Sequence, residues 1–129
     1  MRDIVSTHVM KRNLPEELRP LLPLTPAVLY VLFALADGEK HGYAIMQEMS
    51  VVSDGKFRIG PGTLYTTLQR LLDLGLIEEV KWSRSPEDSR RRYYRLMGSG
   101  KSLLEAELAR MDSVMRLARR RKLVAGTAE

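Results

Sequence analysis

The chain contains no cysteine, which excludes a disulfide framework and any thiolate zinc site and fits a reducing compartment. Its two histidines, His8 and His41, stand far apart in sequence, and neither has carboxylates around it at metal-ligand spacing. No metal or other cofactor is expected, and His41 reads as a structural histidine at a helix start. Nowhere do about 18 apolar residues run without interruption, and no long apolar stretch precedes a small-residue cleavage site near the N-terminus. A soluble, cytoplasmic protein with no membrane partner is therefore expected. Internal repeats and low-complexity tracts are also lacking.

What is present is positive charge and regular helical patterning. The 129 residues suit one domain with a modest core, small enough for a second subunit to complete it. A formal charge of +5 and a pI of about 9.7 are ordinary for a nucleic-acid binder, although basic chains also meet membranes and acidic proteins.

The chain divides into three stretches. Residues 1–23 form an N-terminal extension with Pro15, Pro20 and Pro23, holding at most a short helix near Glu16 to Leu22. Within residues 24–98, Thr25-Pro26 is an N-cap with proline at the first helical position, and the apolar run Ala27 to Ala36 predicts a buried helix stopped by Asp37-Gly38. A second helix follows over Tyr43 to Val52, with its stripe at Ile45, Met46, Met49 and Val52. Pro61-Gly62-Thr63 opens a third, with Leu64, Leu68, Leu71 and Leu72 inward and Gly75 at its end. Leu76, Val80 and Trp82 then share one face of a strand, Tyr94 and Leu96 one face of another, and a polar loop from Ser83 to Ser89 joins them as a hairpin. The fold class is mainly α with a small β-hairpin: a winged helix-turn-helix. Residues 99–124 add a C-terminal helix whose Leu104, Leu108, Met111, Met115 and Ala118 have the spacing of a short coiled-coil seam, predicting a dimer interface.

Opposite the leucines of the third helix lies a polar stripe of Thr63, Thr66, Thr67 and Arg70. Threonine can bond phosphate or a base edge and touch a thymine methyl, while arginine can fork onto guanine. Such residues also keep an ordinary surface helix soluble, and it is their place between a preceding helix and a basic hairpin that favours DNA. The hairpin brings Arg90, Arg91, Arg92 and Arg95 together with Lys81 and Arg84, a set suited to phosphate contact more than base reading. A charged edge strand protected from aggregation is the plainer account. Arg116, Arg119, Arg120, Arg121 and Lys122 read as cations that steady a helix C-terminus. Gly98-Ser99-Gly100-Lys101-Ser102 mimics the end of a phosphate-binding loop, but Arg95 stands where the full pattern needs glycine. No nucleophile, base and orienter assemble from the spacing, so an enzyme has little support.

Three segments, HGYAI at His41 to Ile45, GTLYTTLQRLLDLGLIEE at Gly62 to Glu79 and RRRYYRL at Arg90 to Leu96, resemble the PadR-like transcriptional regulators. The resemblance runs roughly from Leu24 to Leu117. It implies a winged-helix homodimer that binds double-stranded, pseudo-palindromic operator DNA, usually as a repressor, and dimerises through its last helix. It also implies a small planar or phenolic effector in some members, for which Trp82 is the aromatic candidate here. Tyr65 matches the family's tyrosine on the reading helix, Gly62 and Thr63 its opening turn, and Tyr43 the tyrosine of the second helix. Two positions depart: Thr66 stands where many members carry proline, and Met97 where a threonine often caps the last helix, a role that passes to Ser99. The unmatched N-terminal segment is left free to pack on the partner subunit. The alternative is a winged-helix adaptor that binds protein without DNA, since fold alone does not fix function. Against it stand Arg70, Tyr65 and the wing arginines, a basic reading face for which an adaptor has no use.

Overall fold

Thr25 sets the first long helix. In the computed structural model, which describes residues 14–80 and 92–126, its hydroxyl accepts the Val28 N–H at 3.3 Å and its carbonyl the Leu29 N–H at 2.9 Å. Helix α1 (Pro26–Leu35) therefore starts where a capping threonine and an N1 proline coincide. Its Val31, Leu32, Ala34 and Leu35 are all buried, as expected of a helix apolar nearly all round. The Lys40 ammonium closes its far end by donating to the Ala34 carbonyl at 2.6 Å while pairing with Asp37.

Strand β1 (Lys40–His41) follows, then α2 (Gly42–Val52), α3 (Pro61–Asp73), β2 (Ile77–Val80), β3 (Tyr93–Leu96) and α4 (Gly98–Arg120). The two-residue β1 is too short to leave a periodic signature and was not expected. It pairs antiparallel with β3, Lys40 opposite Tyr94 and His41 opposite Tyr93, so the sheet has the order β1-β3-β2. Between α2 and α3, the Ser53 hydroxyl accepts the Phe57 N–H at 2.9 Å, and the Phe57 ring stacks on Tyr30 of α1 at 5.3 Å. The helix-turn-helix is thereby fastened to the first helix. Val52, expected on the inner stripe of α2, is exposed instead, because the chain is already turning into its C-cap.

The turn after α3 explains a shift in the hairpin. Gly75 has φ 74°, its N–H donates to the Leu72 carbonyl and that of Leu76 to the Leu71 carbonyl, both at 3.0 Å. This is a Schellman motif, whose next residue is tucked against the helix. Leu76 is consequently a fully buried cap residue, and the strand begins after it. Ile77 opposes Leu96 and Glu79 opposes Tyr94 on one face, while Val80 opposes Tyr93 on the other. The expected face of Leu76, Val80 and Trp82 is therefore wrong by one residue for its first two members; Trp82 lies outside the described residues.

Helix α4 begins at Gly98, inside the glycine-serine run. Ser99 does not cap it: the N-cap is Met97, with no side-chain bond, and the Ser99 hydroxyl donates to the Gly75 carbonyl at 2.7 Å. A β-carbon at Gly100 would stand 2.2 Å from the Leu76 carbonyl oxygen and 2.8 Å from Leu96 Cδ1. Glycine alone permits this approach. Leu103 and Leu104 enter the core beside Leu14 and Leu18 from the N-terminal segment, whose residues Glu16–Leu21 form a 3-10 helix. The described part of that segment is thus bound to its own domain rather than left for a partner.

Candidate nucleic-acid interface

The leucines of α3 fix which residues point away. With Leu64, Leu68 and Leu71 buried, Thr63, Thr66, Gln69 and Arg70 are exposed, and Tyr65 is 46 % exposed at the flank. Thr67 is half-buried, and its hydroxyl donates to the Thr63 carbonyl at 2.9 Å. That leaves Thr66 and Gln69 among the residues of α3 that face outward. Gln69 was not singled out from the sequence, although it lies one turn beyond Thr66 on the same line. Its Nε2 donates to Asp73 Oδ1 at 2.9 Å, leaving an amide N–H to donate and a carbonyl to accept, the pair that matches the N7 acceptor and N6–H donor of adenine's major-groove edge.

Tyr65 is held by a contact that also went unnoticed. A β-carbon on Gly42 would lie 2.4 Å from the Tyr65 hydroxyl oxygen and 2.9 Å from Cζ, so only glycine at the first turn of α2 lets the phenol lie across it. Just before, His41 caps α2, Nδ1 accepting the Ala44 N–H at 3.2 Å with Tyr93 edge-on at 5.4 Å. The expected structural role of this histidine is what the geometry shows. Tyr43, on the outer side, is exposed.

On the wing, Arg92 is exposed, with Nε 3.6 Å from Glu79 Oε2. Arg95 is committed across the hairpin to Glu78, Nε to Oε2 at 2.8 Å, and this carboxylate holds its guanidinium pKa above the ordinary value. Arg90, Arg91, Lys81, Arg84 and the candidate effector residue Trp82 lie outside the described residues.

The seam of α4 divides in two. Leu104 is only 5 % exposed and belongs to the chain's own core, whereas Leu108 and Met115 are exposed and Met111 and Ala118 half-buried. From Asp112 to Leu117 every residue is exposed, Val114 and Leu117 included. The helix runs beyond its domain, and its exposed apolar residues start at Leu108.

Where the helix is still covered it carries a buried acid that periodicity did not reveal. Glu107, 1 % exposed, accepts the Leu24 N–H at 3.1 Å and Arg110 Nε at 2.7 Å. Arg110 chiefly, aided by the Leu24 N–H and against the effect of burial, holds its carboxyl below the ordinary carboxylate value of 4.5. A depressed folded-state pKa contributes stability that is present above the unfolded value and lost as pH falls through the folded one. Glu107→Gln should accordingly cost about 1–3 kcal/mol at pH 7, and the gap to the parent should narrow in urea melts taken below about pH 4.5. A gap independent of pH would show that the carboxylate's charge is immaterial.

The sequence profile of the transcriptional regulator PadR-like family matches residues 31–106, more than half of the chain. The chain belongs to the PadR-like family of transcriptional regulators. It is 35 % identical over 88 residues to transcriptional regulator Rv3488 of Mycobacterium tuberculosis, covering 68 % of this chain and 78 % of that one. It is also 42 % identical over 81 residues to a 37.1 kDa protein in transposon TN4556 of Streptomyces fradiae, covering 63 % of this chain but only 21 % of that protein. Among solved structures, Bacillus subtilis PadR in complex with operator DNA superimposes with a TM-score of 0.57 at 24 % identity, covering 67 % of this chain and 47 % of that one. The PadR-like winged-helix fold is shared. Among the described residues, no helix is long and apolar enough to cross a membrane.

Proposed function

We propose that this PadR-like protein is a homodimeric, cytoplasmic repressor that binds a pseudo-palindromic operator. Helix α3 enters the major groove, the β2–β3 wing grips flanking phosphates, and α4 joins two copies. The observation that carries the reading is the uncovered polar face of α3, where Thr63, Thr66, Gln69 and Arg70 stand beside Tyr65. The operator-bound structure of B. subtilis PadR supports it, as does the uncovered apolar half of α4. A two-fold partner would bring a second α3 to the same face of the duplex one turn away, ~34–36 Å.

Two measurements test the assignment of roles. Arg70→Ala should weaken operator binding by about 1–3 kcal/mol and relax preference at one base pair. Replacing Arg90 and Arg92 together with Gln should act differently, lowering the slope of log affinity against log salt by about one unit for each lost phosphate contact. Sequence preference should survive in that variant. Folded variants that bind every duplex as the parent does, with the parent's salt slope, would remove both roles.

A further inference from the structure

The positive charge of the chain is concentrated at one place. Of its 21 lysines and arginines, Arg116, Arg119, Arg120, Arg121 and Lys122 stand within one short stretch that contains no acid, and the other 16 are equalled in number by the 16 acidic residues of the whole chain. The net charge of +5 is therefore the charge of this cluster. It sits at the far end of α4, its last helical cation about 20 Å past the buried Glu107 at ~1.5 Å per residue. Arg116, Arg120, Arg121 and Lys122 are all exposed there. Among the described residues Arg120, Arg121 and Lys122 make no ion pair, and Arg116 makes an exposed one with Asp112 at 3.5 Å.

Steadying the helix end accounts for little of this charge. A helix C-terminus carries roughly half an elementary negative charge, which a single cation already exceeds. Its carbonyls are not short of donors either: the Lys122 N–H donates to the Arg119 carbonyl at 3.0 Å and the Leu123 N–H to the Ala118 carbonyl at 2.9 Å. Lys122, with φ 60°, fills the left-handed position that glycine usually takes in such a turn, so a cation stands where the turn itself asks for none. Arg116 and Arg120, four residues apart, share one face of the helix. That face lies about 100–180° around the axis from Met111, Met115 and Ala118, at ~100° per residue. A second copy covering those three would leave both guanidinium groups in water.

We propose that this cluster is a second nucleic-acid contact, a grip on the phosphate backbone of duplex DNA that acts through α4 rather than through α3 or the wing. The duplex carries one negative charge per ~1.7 Å of axis, and Arg116 and Arg120 are ~6 Å apart along the helix, so each can meet a phosphate of its own. Guanidinium forks match phosphate oxygens, and a contact made to phosphate carries no sequence information. An anionic bilayer would draw on the same cations but would also need the apolar side of α4, which a second copy takes. That preference rests on the dimer proposed above; the attraction of the cluster for a polyanion does not.

Binding of the full chain to a short duplex of random sequence, measured from about 50 to 200 mM sodium chloride, tests this contact. The parent should bind with an affinity that falls steeply with salt. Arg116→Gln combined with Arg120→Gln should lower the slope of log affinity against log salt by about two units. Arg19→Gln combined with Lys101→Gln removes the same amount of charge from exposed sites elsewhere and should leave the slope as it is. Arg116→Lys combined with Arg120→Lys keeps the charge and should keep the parent's slope. An unchanged slope in the Arg116→Gln, Arg120→Gln variant would overturn the contact. So would an equal fall in the Arg19→Gln, Lys101→Gln variant, which would show a response to net charge alone. A parent that binds neither the duplex nor vesicles of phosphatidylserine and phosphatidylcholine would overturn it as well, and one that binds the vesicles but not the duplex would assign the cluster to a membrane. A parent that holds the random duplex through the cluster yet prefers no sequence would defeat the operator reading and leave this contact standing.

Discussion

Met111→Lys should convert the protein to a monomer at micromolar concentration while its winged domain stays folded. Met111 is half-buried by its own chain and sits where α4 leaves the domain, so in a single subunit the new ammonium can reach water. Between two copies of α4 it could be neither hydrated nor paired, and an uncompensated buried charge costs about 3–5 kcal/mol of association. Operator affinity should fall with it, because one winged domain makes too few contacts on its own. The choice of position matters: Leu104, on the same nominal seam, is inside the core, and a lysine there would unfold the chain and say nothing about dimers. Sedimentation of parent and variant separates the possibilities. A parent that is monomeric, or a variant that stays dimeric, would assign α4 to some other task.

Gly100→Ala should produce the largest loss of stability among conservative single changes. The added methyl carbon would meet the Leu76 carbonyl oxygen at 2.2 Å, and that carbonyl is already committed to the Met97 N–H at 3.0 Å. Leu96 Cδ1, 2.8 Å from the added carbon, could swing aside, but the Leu76 backbone cannot, so α4 must shift away from it. Overpacking of this kind costs about 1–3 kcal/mol, and alanine's better helix propensity returns about 1 kcal/mol at most. Thermal and urea unfolding should show a lower midpoint with an unchanged denaturant slope. A midpoint equal to or above that of the parent would mean that the contact yields easily.

Features written in local chemistry were legible in the sequence. Thr25-Pro26, the leucines of α3, Gly75 and the short helical turn near Glu16 are each decided by one residue's capping, periodicity or backbone preference, and each stands where the sequence placed it. Features that depend on distant contacts were not. Two residues are too few for β1 to show a period, and the Schellman turn draws Leu76 out of the strand, shifting its face by one. Leu104 satisfies the coiled-coil spacing and the intrachain core equally, and spacing alone cannot say which neighbour covers it. Glu107 is invisible to hydrophobic patterning because its burial depends on Arg110 and on an N–H 83 residues away. The candidate site shows the same division: its stripe follows from helical geometry, whereas the close seating of Tyr65 on Gly42 appears only when α2 and α3 are packed together.

The central claim, that two copies present α3 to successive major grooves, is tested most directly by selecting bound sequences from a pool of random duplexes. The claim predicts an enriched motif with two-fold symmetry whose half-sites lie about 10 base pairs apart, centre to centre, or a multiple of that spacing. Enrichment of a single asymmetric half-site, or of no sequence at all, would contradict it.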